Sequence, residues 1–194
     1  MNLTEPEGPK LIVVIGEIGA GKDKLHELVR KITPSLQIDQ LRFSDPLKRV
    51  VDALNLPPVR KNFQGISKGL KYGLGEEFLA KAVIAEGRTM RSNIVLINGP
   101  RRECDMNVIE AEGLTSIYVT ASPEIRHQRR QSNPEREGDD SISLEDFIKF
   151  EQDENDRDVP IIGGRATYKI VNNSSLARYE STVSRIWRSI VSQT

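Results

Sequence analysis

A lysine placed directly after the second of two glycines, themselves five residues apart and preceded by an aliphatic run, is suited to handling phosphate. The stretch LIVVIGEIGAGKD, Leu11 to Asp23, has that form, with Gly16, Gly21 and Lys22 matching G-x-x-x-x-G-K. Glycines let successive backbone N–H groups turn inward, and the positive end of a following helix adds to the same anion-binding concavity. Lys22 would reach the outer phosphates of a nucleotide. Gly16, Gly19, Ala20, Gly21, Lys22 and Asp23 are the candidate nucleotide-binding residues. Where such loops usually carry a serine or threonine whose hydroxyl binds Mg²⁺, this one carries Asp23. Its carboxylate could ligate the metal or could favour the helix start electrostatically, and both readings stand.

Three more polar clusters follow apolar segments. In FSDP, Asp45 could orient an acceptor group, help hold the metal, or serve as the N-cap of the helix that Pro46 begins. In INGPRREC, Arg101 and Arg102 suit bidentate capture of a second phosphate, that of a substrate. In PEIRHQRRQ, Arg126, Arg129 and Arg130 precede the polar segment Ser132 to Ser141, which reads as a mobile loop. Arg126 and Arg130 are candidate catalytic residues in a lid over about 126–145, where they would neutralise a transferring phosphoryl group and exclude water. A solvated basic helix face is the alternative. Lys22 and Asp45 complete the catalytic candidates, with Asp23 and Asp45 the candidate metal ligands. His26 and His127 lack a nucleophile to pair with and read as surface or helix residues.

These groups need a frame that brings strand ends together. Leu11–Ile15, Ile94–Ile97 and Thr115–Val119 are short apolar runs rich in β-branched residues, as in strands buried on both faces. Gln37–Phe43 and Thr167–Val171 are shorter strand candidates. Helical spacing of apolar residues marks the segments from Gly21 to Ile32, from Asp45 to Pro57, within EEFLAKAVIAEG, within DMNVIEAEG, from Pro123, after the N-cap candidate Ser143, and from Leu176 to Val191. Strands alternating with helices predict an α/β fold, three layers around a mostly parallel sheet of about five strands. In such sheets ligands sit beyond the carboxyl ends of the strands, and all four polar clusters follow strand ends. One domain spanning 1–194 is expected, with a loose tail over 1–9 and an acceptor-covering region over about 57–90.

Composition narrows the partners. The 28 Lys plus Arg balance 28 Asp plus Glu, and only 5% of residues are aromatic, so neither a basic field nor stacking platforms favour nucleic acid. No apolar run approaches the ~20 residues that span a bilayer. The acidic, proline-bearing start MNLTEPEGPK lacks the basic and then apolar pattern of a signal peptide. A single cysteine, Cys104, excludes an internal disulfide and suits a reducing compartment. A cytoplasmic protein, monomeric or homodimeric, with small-molecule partners and no membrane or nucleic acid is the expectation.

With these residues in hand, the chain resembles P-loop nucleotide kinases of the adenylate, deoxynucleoside monophosphate and dephospho-coenzyme A kinase neighbourhood. GKD and FSDPLK are similar to the deoxynucleoside monophosphate kinases of phages. INGPRR, YVTASPEIRHQRR, EDFIKFEQDEND and YKIVNN resemble kinase-like ATPases related to adenylate and dephospho-coenzyme A kinases. The resemblance covers roughly Leu11 to Leu176 and implies ATP and Mg²⁺ as cofactors and phosphoryl transfer to a small phosphorylated acceptor. It implies Gly16, Gly21 and Lys22 on the ATP phosphates, Asp45 near acceptor or metal, Arg101 on the acceptor, and Arg126 with Arg130 in the lid. Two positions depart from the pattern: Asn98 stands where an aspartate is common, and Lys24 where a threonine is. They leave room for an ATP-binding protein that does not transfer phosphate. Asn172 to Ser175 could lie by the nucleotide base or form a simple polar turn.

Overall fold

A computed structural model describes residues 8–132, 141–152 and 156–192. Most of the expected tail, and residues 133–140 of the expected mobile loop and lid, lie outside the described residues.

Five parallel strands form one sheet in the order β2-β3-β1-β4-β5: β1 (Lys10–Ile15), β2 (Ile38–Arg42), β3 (Ile94–Asn98), β4 (Thr115–Thr120) and β5 (Tyr168–Val171). The β2–β3 pairing runs in parallel register from Ile38 opposite Ile94 to Arg42 opposite Asn98, and β4 pairs with β5 from Ile117 opposite Tyr168. The order explains the apolar runs. β1 is central, with Ile12, Val13, Val14 and Ile15 fully buried, and Val95, Leu96 and Ile97 of β3 are equally enclosed. The edge strand β5 alternates instead, with only Ile170 buried.

The chain folds into two compact units. The first comprises Met1–Val13, Leu36–Pro100 and Cys104–Thr115. It holds β2, β3, α2 (Asp45–Ala53), α3 (Arg60–Leu74), α4 (Phe78–Thr89) and most of α5 (Glu103–Ala111). Here α4 packs on β3 through Gly87, whose missing side chain admits the Leu11 methyl groups, while Arg49 and Glu86 bridge α2 to α4 through two hydrogen bonds. The helix α3 is not evident from the sequence pattern. It carries no buried residue and contains Gly65, Gly69 and Gly73, which lower helical propensity, and it stops at Gly75 with φ 88°.

The second unit comprises Val14–Ser35, Arg101–Glu103 and Ser116–Thr194. It holds the glycine loop, α1 (Lys22–Ile32), β4, α6 (Pro123–Ser132), α7 (Leu144–Glu151), α8 (Val159–Gly164), β5 and α9 (Leu176–Val191). The amphipathic α9 buries Tyr179, Val183, Ile186, Trp187 and Ile190 and packs along α1. Trp187, 1% exposed, satisfies its indole N–H on the Thr33 hydroxyl that closes α1. Ser143 caps α7 as expected, accepting from the Asp146 N–H at 3.0 Å. Tyr118 is held face-on: Gly163 of α8 lies against its ring, and the Lys169 ammonium stands 5.6 Å from its centroid.

Among the described residues no helix is long and apolar enough to cross a membrane.

A Cβ at residue 163 would fall 2.6 Å from the Tyr118 ring, whereas one at Gly69 meets nothing within 4 Å. Gly163→Ala is therefore expected to lower unfolding free energy by ~1–3 kcal/mol through overpacking. Gly69→Ala should raise it by roughly 0.5–1 kcal/mol by restricting the unfolded chain and favouring α3. Urea unfolding of both variants checks the pair; equal shifts would contradict this packing.

Candidate functional site: the phosphate loop

The loop between β1 and α1 is shaped by close approaches that leave no room for side chains. A Cβ on Gly16 would overlap the Val119 carbonyl oxygen, and one on Gly19, φ 75°, would lie 2.7 Å from the Arg126 carbonyl oxygen. Gly21 combines φ 107° with an approach of 2.6 Å to the Asn172 amide nitrogen, so both its conformation and its space require glycine.

Every carbonyl of the loop is held by a donor. Lys22 Nζ donates to the carbonyls of Gly16 and Glu17, both at 2.7 Å. Arg126 Nη1 donates to Ile18 O at 3.3 Å, and Arg129 Nη1 reaches Gly19 O and Ala20 O at 3.5 Å. Asn172 Nδ2 donates to Ala20 O and the Tyr179 hydroxyl to Gly21 O, each at 2.9 Å. In a trans peptide the carbonyl and the next N–H point in opposite directions. Holding these oxygens turns the N–H groups of Glu17, Ile18, Gly19, Gly21 and Lys22 away from the donors, which is the polarity an anion cradle needs.

The supports are fixed in turn. Arg126 is 5% exposed: its Nε donates to Ala121 O, and its guanidinium forms a two-pronged ion pair with Glu151 of α7. Arg129 also donates to Asn172 O at 2.9 Å, and burial draws its pKa down from the ordinary arginine value. Glu17 turns its carboxylate toward β4, where Oε1 accepts from the Tyr118 hydroxyl and from Thr120 Oγ1. Burial first, then this bond to Glu17, raises the Tyr118 pKa, and burial does the same for Tyr179, so both phenols remain donors at neutral pH.

The residues expected to act on phosphate are thus placed as follows. Gly16, Gly19, Ala20, Gly21 and Lys22 form the loop. Asp23 lies exposed in the first turn of α1, whose N-cap position is Gly21 with no side-chain cap. Arg101 forms an ion pair with Asp156, and Arg102 is half-buried beside it in sequence. Arg126 and Arg130, at 5% and 6% exposure, are interior groups, so the alternative of a solvated basic face does not hold.

In the first unit, Asp45 is not an N-cap: Ser44 holds that position, and Asp45 Oδ2 instead accepts from the Arg42 N–H at 2.7 Å, closing the strand end. Asn98 ends β3, 7% exposed, with Oδ1 enclosed and without a hydrogen-bond partner. Among the described residues no group of three acidic, histidine or cysteine side chains could form an all-protein metal site.

Arg129, Asn172, Tyr179 and Tyr118 carry the loop without belonging to its motif, and Glu17 does so from one of the motif's variable positions. Asn172 follows a strand and Arg129 sits in an arginine cluster, and both are visible in the sequence as polar groups at strand ends. Tyr179 reads in sequence as one more apolar position of an amphipathic helix.

A glycine loop between a central strand and a helix, under this strand order, defines the P-loop kinase fold. The chain aligns at 16% identity and a TM-score of 0.59 with a shikimate kinase from Bacteroides thetaiotaomicron, covering 93% of this chain and 98% of that one. The same identity and TM-score relate it to TT1252 from Thermus thermophilus, over 96% and 98%. A shikimate kinase from Acinetobacter baumannii, in complex with shikimate, aligns at 18% and 0.52, over 97% and 96%. In sequence the chain is 25% identical over 190 residues to UPF0200 protein TK1334 of Thermococcus kodakarensis, covering 94% of this chain and 99% of the relative. It is 25% identical over 186 residues to a UPF0200 protein of Hyperthermus butylicus, covering 94% and 96%. No family model matches the chain.

The raised phenol pKa values set a pH dependence. The folded state holds these protons more tightly than the unfolded chain, so the stability they contribute is complete below the unfolded value of about 10 and falls as pH rises above it. Ultraviolet titration is expected to show Tyr118 and Tyr179 ionising only with alkaline unfolding, and Tyr179→Phe should soften the alkaline limb of the stability profile. An unchanged limb in that variant would contradict the assignment.

Proposed function

We propose that the chain is an ATP- and Mg²⁺-dependent phosphotransferase acting on a small phosphorylated acceptor, most specifically a (deoxy)nucleoside monophosphate. The observation that carries this reading is the loop: its carbonyls are occupied by donors, its glycines stand where a side chain would strike Val119, Arg126 or Asn172, and Lys22 stands at the head of α1. Such a cradle fits the phosphates of a nucleotide. The likeness to kinases in fold and the resemblance of GKD and FSDPLK to deoxynucleoside monophosphate kinases support the reaction class.

In this reading the loop N–H groups bind the phosphates and Lys22 leaves the Gly16 and Glu17 carbonyls to engage them. When bound, Mg²⁺ would supply positive charge at the phosphates, and Asp23 is the residue that would hold it. Arg101, and Arg102 beside it, bind the acceptor phosphate. Arg126 holds charge next to the loop from α6 and keeps Ile18 in place, and Arg130, buried in the same helix, would add to it. The resemblance assigns Asp45 to the acceptor or the metal. A dephospho-coenzyme A kinase-like enzyme is the neighbouring possibility within the same chemistry.

One observation favours a second reading, an ATP-binding regulator without transfer: Asn98 brings no charge to the end of β3 and keeps an enclosed, unpartnered Oδ1.

Incubation with ATP, Mg²⁺ and a panel of nucleoside monophosphates and dephospho-coenzyme A should release ADP with at least one acceptor. Lys22→Ala should lower kcat/KM by on the order of 10²-fold or more, about 2.7 kcal/mol or more of transition-state stabilisation. Tight ATP binding with no turnover on any acceptor would leave the regulator reading in place of the kinase.

A further inference from the structure

Two arginines of α6 reach the phosphate loop, and they differ in what answers their charge. The partners of Arg129 among the described residues are carbonyls, those of Gly19, Ala20 and Asn172, so its positive charge stands uncompensated there. Arg126 is placed as close: its Nη1 donates to Ile18 O, and its own main chain lies against Gly19. Its charge, however, is met by Glu151 of α7, whose two carboxylate oxygens take both Nη groups, while Ala121 O takes Nε. Most N–H groups of the guanidinium are thereby committed.

Glu151 is brought to this place by the docking of α7 on α6. Phe147, buried in α7, has its ring centroid 5.6 Å from the Arg126 guanidinium carbon and 5.6 Å from that of the His127 ring. His127 Nε2 in turn lies 2.7 Å from Ile142 O, just ahead of α7. The Arg126 and Glu151 side chains keep 6% and 17% of their exposure, so water screens the pair little. One nitrogen, Nη1, serves both Ile18 O and Glu151, which sets the carboxylate a single guanidinium away from the loop. An anion drawn to the loop therefore meets cation and carboxylate together, and their fields largely cancel.

We infer that Glu151 sets the anion affinity of the phosphate loop: by neutralising Arg126 it makes the loop, while α7 is docked, a weaker polyphosphate site than the loop's cations alone would make it. Glu151 acts through Arg126 and needs no contact with the ligand. The weakening applies to any polyphosphate; that it eases release of the ADP left after transfer rests on the kinase reading.

Calorimetric titration of the full chain with inorganic pyrophosphate, without metal, tests this. Glu151→Gln keeps the shape and an acceptor for Arg126 but drops the charge, and should bind pyrophosphate roughly fivefold tighter or more than the unaltered chain. A residue needed only to hold Arg126 in place would weaken binding when altered. Arg126→Gln leaves Glu151 unopposed beside the loop and should bind most weakly. The double variant Arg126→Gln/Glu151→Gln leaves no unpaired charge and should bind roughly fivefold tighter or more than Arg126→Gln, a comparison that stands even where Glu151→Gln alone does not fold. Glu145→Gln makes the same charge change at an exposed position of α7 that pairs with Lys149, and should alter binding by less than about twofold. Binding by Glu151→Gln no tighter than by the unaltered chain, binding by the double variant no tighter than by Arg126→Gln, an equal gain in Glu145→Gln, or no pyrophosphate binding by any of them overturns the inference. Release of ADP with the acceptor panel reports on the kinase reading separately, so loss of that reading and loss of this one give different results.

Discussion

An anion cradle made of backbone requires that the oxygens of the same peptides be held elsewhere, and in this chain that requirement organises the unit around the loop. Carbonyls from Gly16 to Gly21 take donors from Lys22, Arg126, Arg129, Asn172 and Tyr179. Those donors come from the start of α1, from α6, from the residue after β5 and from α9. Burial of the guanidiniums and phenol strengthens these bonds, and the same burial would penalise any of them left without an acceptor. The loop therefore holds its donors in place as much as they hold it.

This mutual dependence also accounts for the placing of α6. A helix that carries Glu124, Arg126, Arg129 and Arg130 within its short length would ordinarily face water, yet Arg126 and Arg130 are buried. Two-pronged pairing with Glu151 compensates Arg126, and the Phe147 ring centroid lies 5.6 Å from its guanidinium carbon. Such a group resists rearrangement more than a surface arginine does. In the proposed reading its charge would stand at a fixed distance from the loop.

The parts of this architecture that repeat locally were legible in the amino-acid sequence. Continuous β-branched runs marked β1 and β3 because both strands are buried on both faces, and the Ser143 cap and the stripe of α9 follow local rules. Three glycines at helical spacing hid α3, since propensity argues against a helix there and no buried stripe marks it. α8, VPIIGG, is too short for periodicity to show. At the site the motif identified the cradle but not its supports: Tyr179 lies 158 residues from the Gly21 carbonyl it serves, and Glu17 meets Tyr118 across 101. Pairings over such separations are set by the fold, and no spacing rule reaches them.

Asp23 gains meaning from the same geometry. With Gly21 in the left-handed region at the N-cap position, α1 starts without a side-chain acceptor for its first N–H groups, and those groups are available to phosphate. A carboxylate in the first turn stabilises the helix dipole but competes electrostatically with an anion bound at the same end. A divalent cation reconciles the two, because it lets carboxylate and phosphate share one positive charge centre. A serine in that place would bring no such repulsion, so in the proposed reading the aspartate ties anion binding at this end of α1 to a cation.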